Sequence, residues 1–250
     1  MSRFVLILLI FIPFIIPQTV FSDQNDQIIR DTIEIRELGL TTDYILIKPF
    51  NHNEKEKYPL FVFIHGLGSS PKYMLEMNYA SLITQKFFIL IPQGPEKYDS
   101  GYSWYTLSDW NIFVQNMDRD EQIIKALIHK VRKNHKIDTH RIVLSGFSQG
   151  GRVSFYTGFK NPKLFSDIIP IAGVYMPSLL DSHVSFLDKL RVYIFHGTKD
   201  EINSFDAMKK AFFELRQKGV HVELITYPLG HTYTTQVLVE AFKIIQSNTP

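Results

Sequence analysis

Eight short runs rich in β-branched and aromatic residues, at 32–35, 44–47, 60–64, 87–91, 141–144, 168–171, 192–195 and 222–227, set the frame within which this chain must fold. Several are apolar at consecutive positions rather than at alternate ones, the pattern of strands covered on both faces. Between the later runs the period becomes helical. Ile123, Ile124, Leu127, Ile128 and Val131 form one stripe, with Asp118 and Glu121 spaced as a capping box at its start. Phe205, Met208, Phe212 and Leu215 form a second, closed by Gly219, and Val237, Leu238, Ala241, Phe242 and Ile245 form a third. This alternation predicts an α/β fold: a mostly parallel sheet with helices on both faces, begun by an antiparallel pair that needs no crossover helix.

No repeat, low-complexity tract or Gly/Ser linker interrupts residues 23–250, so they are read as one domain. Hydrophobic residues make up 45% of the chain and charged residues 21%, enough apolar surface for one sizeable core. The formal charge of +2 is spread along the chain, and its most basic stretch, 125–136, also reads as the solvated face of a helix, so no nucleic acid partner is expected. The first 22 residues differ from the rest. Arg3 supplies a positive start, residues 4–16 are apolar apart from Pro13, and Val20-Phe21-Ser22 offers a cleavage site. Pro17, Gln18 and Thr19 shorten the run below the ~20 residues of a membrane span. Residues 1–22 are therefore expected to be a secretory signal peptide, placing the protein outside the cytoplasm or in a periplasm, with membrane contact only if the segment stays uncleaved. With no cysteine, disulfides, a thiol nucleophile and thiolate metal sites are excluded.

The strongest local signal is Gly146-Phe147-Ser148-Gln149-Gly150-Gly151, directly after the run 141–144 and before a segment able to start a helix. A sharp strand-to-helix turn of this type exposes a serine hydroxyl, and the flanking glycines let other backbone pass closely. A hydroxyl is a poor nucleophile and needs a histidine base and a carboxylate that fixes its tautomer. Asp200 lies in the loop leaving the next-to-last run and His231 in the loop leaving the last, in the chain order Ser, acid, His. Carboxyl ends of parallel strands share one sheet edge, so these three can converge there as catalytic residues. Glu201 and Asp206 are weaker candidates for the acid. His65 and His196 each end an apolar run before a glycine, a position that points to structural hydrogen bonding. An oxyanion needs two donors: the backbone N–H of Gln149 is one, and that of Leu67, in the loop His65-Gly66-Leu67-Gly68, the other. Ser70-Pro71 then opens a helix with a cap and a proline at its first position. No histidine and acid pair has metal-ligand spacing, so neither metal nor other cofactor is expected.

The segments Phe63 through Gly68, Ile91-Pro92 through Trp104-Tyr105, Ile137 through Gly151, His196-Gly197 through Asp200, and Gly230-His231 resemble the phospholipase/carboxylesterase family of α/β-hydrolases, which includes carboxylesterases and acyl-protein thioesterases. The resemblance implies the α/β-hydrolase fold, a serine esterase that cleaves a small-molecule or lipid ester, and substrate-binding places for Trp104 and Tyr105. Two positions depart from it: Ser69 stands where the thioesterases usually carry an acid, and Arg152 where they usually carry a small apolar residue.

About twenty residues separate the strand ending near Ile171 from the one beginning near Arg191, too few for a cap domain, so an open site is expected. Tyr98, Tyr102, Trp104, Tyr105, Tyr175 and Met176 lie in loops able to line it, although isolated aromatics more often pack against a core. Feruloyl esterases and polyester depolymerases are looser relatives, a peptidase would use the same three residues, and a silent binding protein of this fold would have lost one of them.

Overall fold

The computed structural model describes residues 24–106, 109–180, 187 and 189–247; the signal peptide expected over residues 1–22 lies outside them. In chain order the elements are α1 (Gln24–Gln27), β1 (Ile28–Ile35), β2 (Leu40–Ile47), β3 (Tyr58–Ile64), α2 (Pro71–Leu82), β4 (Phe88–Pro92), β5 (Glu96–Tyr98), β6 (Gly101–Ser103), α3 (Trp110–Asn134), β7 (Ile137–Phe147), α4 (Gln149–Lys160), β8 (Asp167–Ile171), α5 (Pro177–Leu180), β9 (Arg191–Gly197), α6 (Phe205–Gln217), β10 (His221–Tyr227) and α7 (Thr235–Ser247). The eight apolar runs become one sheet in the order β1-β2-β4-β3-β7-β8-β9-β10. β1 and β4 each run antiparallel to β2, and every pairing from β4 to β10 is parallel, as the sequence predicts.

Alternation along β3 explains why apolar residues stand at consecutive positions. Leu60, Val62 and Ile64 point into a core closed by α3, α4 and α6, whereas Phe61 and Phe63 point into the opposite core, closed by α2 and α7. Phe61 meets Phe242 of α7 edge-on at 5.1 Å between ring centroids, both fully buried. Burial of each such ring contributes about 1.5–3 kcal/mol.

Two local features differ from the sequence reading. The expected capping box at Asp118 and Glu121 does not form, because Phe113 and Met117 carry the buried stripe nearly three turns further upstream. Asp109 caps α3 instead, its carboxylate accepting from the N–H groups of Asn111 and Ile112 at 2.8 and 3.3 Å. Asp118 accepts from Tyr156 and Lys160, and Glu121 from Lys125 and Asn161, so both tie α3 to its surroundings. The hairpin β5–β6 is an addition: three-residue strands are below the length at which periodicity shows. The other helix ends match the sequence. Ser70 caps α2 with Pro71 at its first position, and Gly219 follows α6 in the left-handed region, at φ 81°. Residues 172–190, which include α5, are all that separates β8 from β9, too little for a cap domain.

Candidate active site

Ser148 stands at the turn from β7 into α4 with φ 55° and ψ −111°, a backbone conformation that an L-residue adopts only under constraint. The constraint is visible: the Ser148 N–H donates to the Ile171 carbonyl at 2.9 Å, and α4 begins at once with Gln149. The turn is so tight that a Cβ on Gly150 would lie 2.2 Å from the Ile64 carbonyl oxygen, which accounts for glycine there.

From this turn a chain of hydrogen bonds runs across the strand ends. The Ser148 hydroxyl donates to Nε2 of His231 at 2.7 Å, and Nδ1–H of His231 donates to Oδ2 of Asp200 at 2.8 Å. Asp200 is buried and its second oxygen accepts from the N–H groups of Ile202 and Asn203 at 3.0 and 2.8 Å. Among the described residues Oδ2 accepts from no backbone N–H; it receives Nδ1–H of His231 at 2.8 Å, with Nε2 of His196 also 3.4 Å away. The loops carrying Asp200 and His231 are tied together: Thr198 N–H donates to the Tyr227 carbonyl and Lys199 N–H to the Leu229 carbonyl, each at 2.9 Å. Phe147 stacks on the His231 ring at 5.2 Å and so limits its rotation.

The two proposed oxyanion donors face the same edge of the sheet. Gln149 is the first residue of α4, whose opening N–H groups have no partners within the helix. The Leu67 N–H has no hydrogen-bond acceptor among the described residues. Its loop is held from behind by the hairpin, with Gly68 N–H donating to Tyr102 and Tyr102 N–H to Ser69, each at 2.9 Å.

Two histidines stay outside this relay. His65 is fully buried and neutral: Nδ1–H donates to the Gly66 carbonyl at 2.7 Å and Nε2 accepts from Gly94 N–H at 2.9 Å. Burial pushes it down to about 4. His196 Nε2–H donates to Asn203 at 2.7 Å and thereby braces the loop that carries Asp200; burial lowers this imidazole as well.

Over Ser148 lies a cleft of about 970 Å³. Leu67, Met74, Met77, Phe147, Ile202 and Tyr233 supply its apolar walls, and Ser69, Ser70, Asn78 and Thr234 its polar ones. None of its described lining residues is Asp, Glu, Lys or Arg. Trp104 and Tyr105, which the resemblance placed in the substrate site, do not line this cleft. Trp104 is fully buried, its indole N–H donating to the His65 carbonyl at 3.0 Å, and Tyr105 packs edge-on against Phe113 at 5.0 Å. Tyr175 is likewise buried, against Phe155 and Phe159, and Met176 packs against the same core. The reason is a long-range clamp. The Gln149 amide accepts from Trp104 N–H at 2.9 Å and donates to the Tyr105 carbonyl at 2.8 Å, which draws the segment inward. Arg119 fixes it from the other side, donating to the Trp104 carbonyl while paired with Glu96 and Asp120. Arg152, the second departure from the family pattern, lies over the Tyr105 ring at 5.5 Å and does not line the cleft.

Sequence reasoning missed the contribution of α2, whose Tyr73 and Met77 lie one helical turn apart and exposed beside Ser148. Their i, i+4 spacing was the available signal, since two large apolar residues on an outward helix face need a use.

The phospholipase/carboxylesterase family model matches residues 50–249. The chain is 26% identical over 204 residues to acyl-protein thioesterase 1 homolog 1 of Dictyostelium discoideum, covering 76% of this chain and 90% of that protein. It is 23% identical over 176 residues to a bifunctional acetylxylan esterase/xylanase of Neocallimastix patriciarum, covering 70% of this chain and 24% of that longer protein. Among solved structures, a thermostable esterase superposes with a TM-score of 0.70 at 23% identity, over 89% of this chain and 63% of that one. A ferulic acid esterase from the anaerobic fungus Anaeromyces mucronatus superposes with a TM-score of 0.67 at 19% identity, over 87% and 89%. With a family model spanning most of its length and the fold shared with these structures, the chain belongs to the phospholipase/carboxylesterase family of α/β-hydrolases and to the carboxylic ester hydrolases as an enzyme class.

Proposed function

We propose that this protein hydrolyses uncharged carboxylic esters through an acyl-enzyme on Ser148. The observation that carries the reading is the unbroken relay from the Ser148 hydroxyl through His231 to buried Asp200, opening on a cleft without a charged wall. His231 Nε2 takes the hydroxyl proton as Oγ attacks the ester carbonyl carbon, and the N–H groups of Leu67 and Gln149 receive the developing oxyanion. His231 then returns the proton to the departing alcohol. Water enters by the same path in reverse, releasing the acid and regenerating Ser148. Asp200 keeps the imidazole in the tautomer that presents a free Nε2 and offsets the charge it gains.

Ser69 lines the cleft where thioesterases of the family usually carry an acid, which leaves no carboxylate among the described lining residues to hold a cationic substrate group. The ammonium of a peptide or of a zwitterionic lipid therefore finds no counter-ion. Met74, Met77 and Tyr233 favour an apolar acyl group of medium length or an aromatic acid. The test is a stopped-time assay with p-nitrophenyl esters of increasing chain length. It should show a burst of nitrophenol proportional to enzyme, with mass spectrometry locating the acyl adduct on Ser148. An adduct on any other residue, or kcat/KM higher for a peptide amide than for the esters, would overturn the proposal.

Export belongs to the same reading and rests on the basic start and apolar run of residues 4–16. Protein recovered outside the cytoplasm should have its N-terminus at or near Asp23. Recovery only of intact chain in the membrane fraction would favour an anchor instead.

A further inference from the structure

At the end of the strands opposite Ser148 the surface is hollowed into a groove of about 880 Å³. β7 runs from this groove, at Ile137, to the nucleophile turn at Phe147, so roughly 30 Å of strand separates the two. Its charge is one-sided. Lys48, from the end of β2, and Arg132, Lys133 and Lys136, from the end of α3 and the chain after it, line it together with a single acid, Glu54. Among the described residues none of these four cations has a carboxylate partner, whereas Lys125 and Lys130 earlier on α3 are paired with Glu121 and Asp31. Unpaired cations gathered from three segments around a concavity leave a net positive field, offset only in part by Glu54, that suits an outside anion.

We propose that this groove binds an anionic polysaccharide, a chain bearing repeated carboxylate or sulfate groups. A concave strip of cations suits a chain better than a flat sheet of headgroups does. Its described lining contains no Phe, Tyr or Trp, the broad rings that hold single-stranded nucleic acid by stacking, and only Ile137 to serve as an apolar anchor in a bilayer. His52 and His135 add a pH response. Both pack against Phe88, His52 edge-on at 5.2 Å and His135 tilted at 5.0 Å, and burial together with the charge of Lys48 holds both below the usual imidazole range. A bound anion favours their protonated forms, so affinity rises as pH falls; His129 and Glu54 stand in the same lining.

Native electrophoresis of the full protein through gels containing polygalacturonate, dextran sulfate or neutral dextran tests the site. Both charged polymers should retard it, more at pH 5.5 than at pH 7.5, and neutral dextran should not. The triple variant Lys48→Gln/Arg132→Gln/Lys133→Gln should weaken retardation at least ~10-fold in apparent affinity while hydrolysing p-nitrophenyl acetate at the wild-type rate. A control with the same loss of charge at paired positions, Lys125→Gln/Lys130→Gln/Lys243→Gln, should stay within about two-fold of wild type. Equal loss in both triple variants would reduce the effect to net charge and overturn the site. So would tighter binding, at the same ionic strength, to phosphatidylserine vesicles or oligo-dT than to polygalacturonate.

Discussion

Asp200, Glu201 and Asp206 offer three carboxylates within seven residues, and only burial and direction separate them. Asp200 is buried with one oxygen on His231, while Glu201 and Asp206 are exposed, the latter in the first turn of α6. Asp200→Asn should therefore lower kcat by about 10⁴-fold, because the amide would stabilise the wrong tautomer. Glu201→Gln and Asp206→Asn should stay within about two-fold in the same ester assay. Gln149 holds the Trp104–Tyr105 segment with its side chain, beside the oxyanion role proposed for its backbone N–H. Gln149→Leu removes the partner of Trp104 N–H and the Tyr105 carbonyl, so it should destabilise the protein by at least about 2 kcal/mol in urea titrations. Its kcat should also fall, since the donor N–H shifts with the residue.

Elements here are placed by close approach of backbone as much as by side-chain packing. The start of α4 lies against the end of β3, and a methyl at Gly150 would press on the Ile64 carbonyl. Gly150→Ala should cost about 3 kcal/mol, a fall of roughly 10 °C in Tm, and should lower activity even where folded protein is recovered. By contrast, α3 is held along its whole buried stripe, so loss of its cap is mild. Asp109→Ala should cost about 1 kcal/mol by thermal denaturation and leave the kinetics unchanged.

Across the whole molecule, buried neutral imidazoles make stability depend on pH. For His65 the folded value near 4 lies below the ordinary 6.5, so the unfolded chain binds the extra proton in between. The stability this group contributes is complete above about pH 6.5 and is lost as pH falls toward 4, up to ~3 kcal/mol in all. Urea titrations at pH 7 and pH 5 should show the loss, and His65→Gln should shrink the difference by about 2 kcal/mol. An unchanged difference in the variant would place the pH dependence elsewhere, with His196 the next candidate.

That Ser148, Asp200 and His231 meet could be read from the chain because each follows a recognisable strand, and parallel strands deliver their ends to one edge whatever the loops do. The eight strands were legible for a related reason: residues covered on both faces are apolar at consecutive positions, a property of the sequence itself. Tertiary structure alone decided where the loop side chains went. Trp104 faces the core because its N–H meets the amide of Gln149, 45 residues away, and no local pattern carries that contact. The walls of the cleft are decided the same way, by α2 and the 231–235 loop meeting over Ser148, and so is the basic groove, where Lys48 joins the end of α3. Period tells which side of a strand or helix is buried, but a loop residue takes its environment from whichever distant segment folds against it.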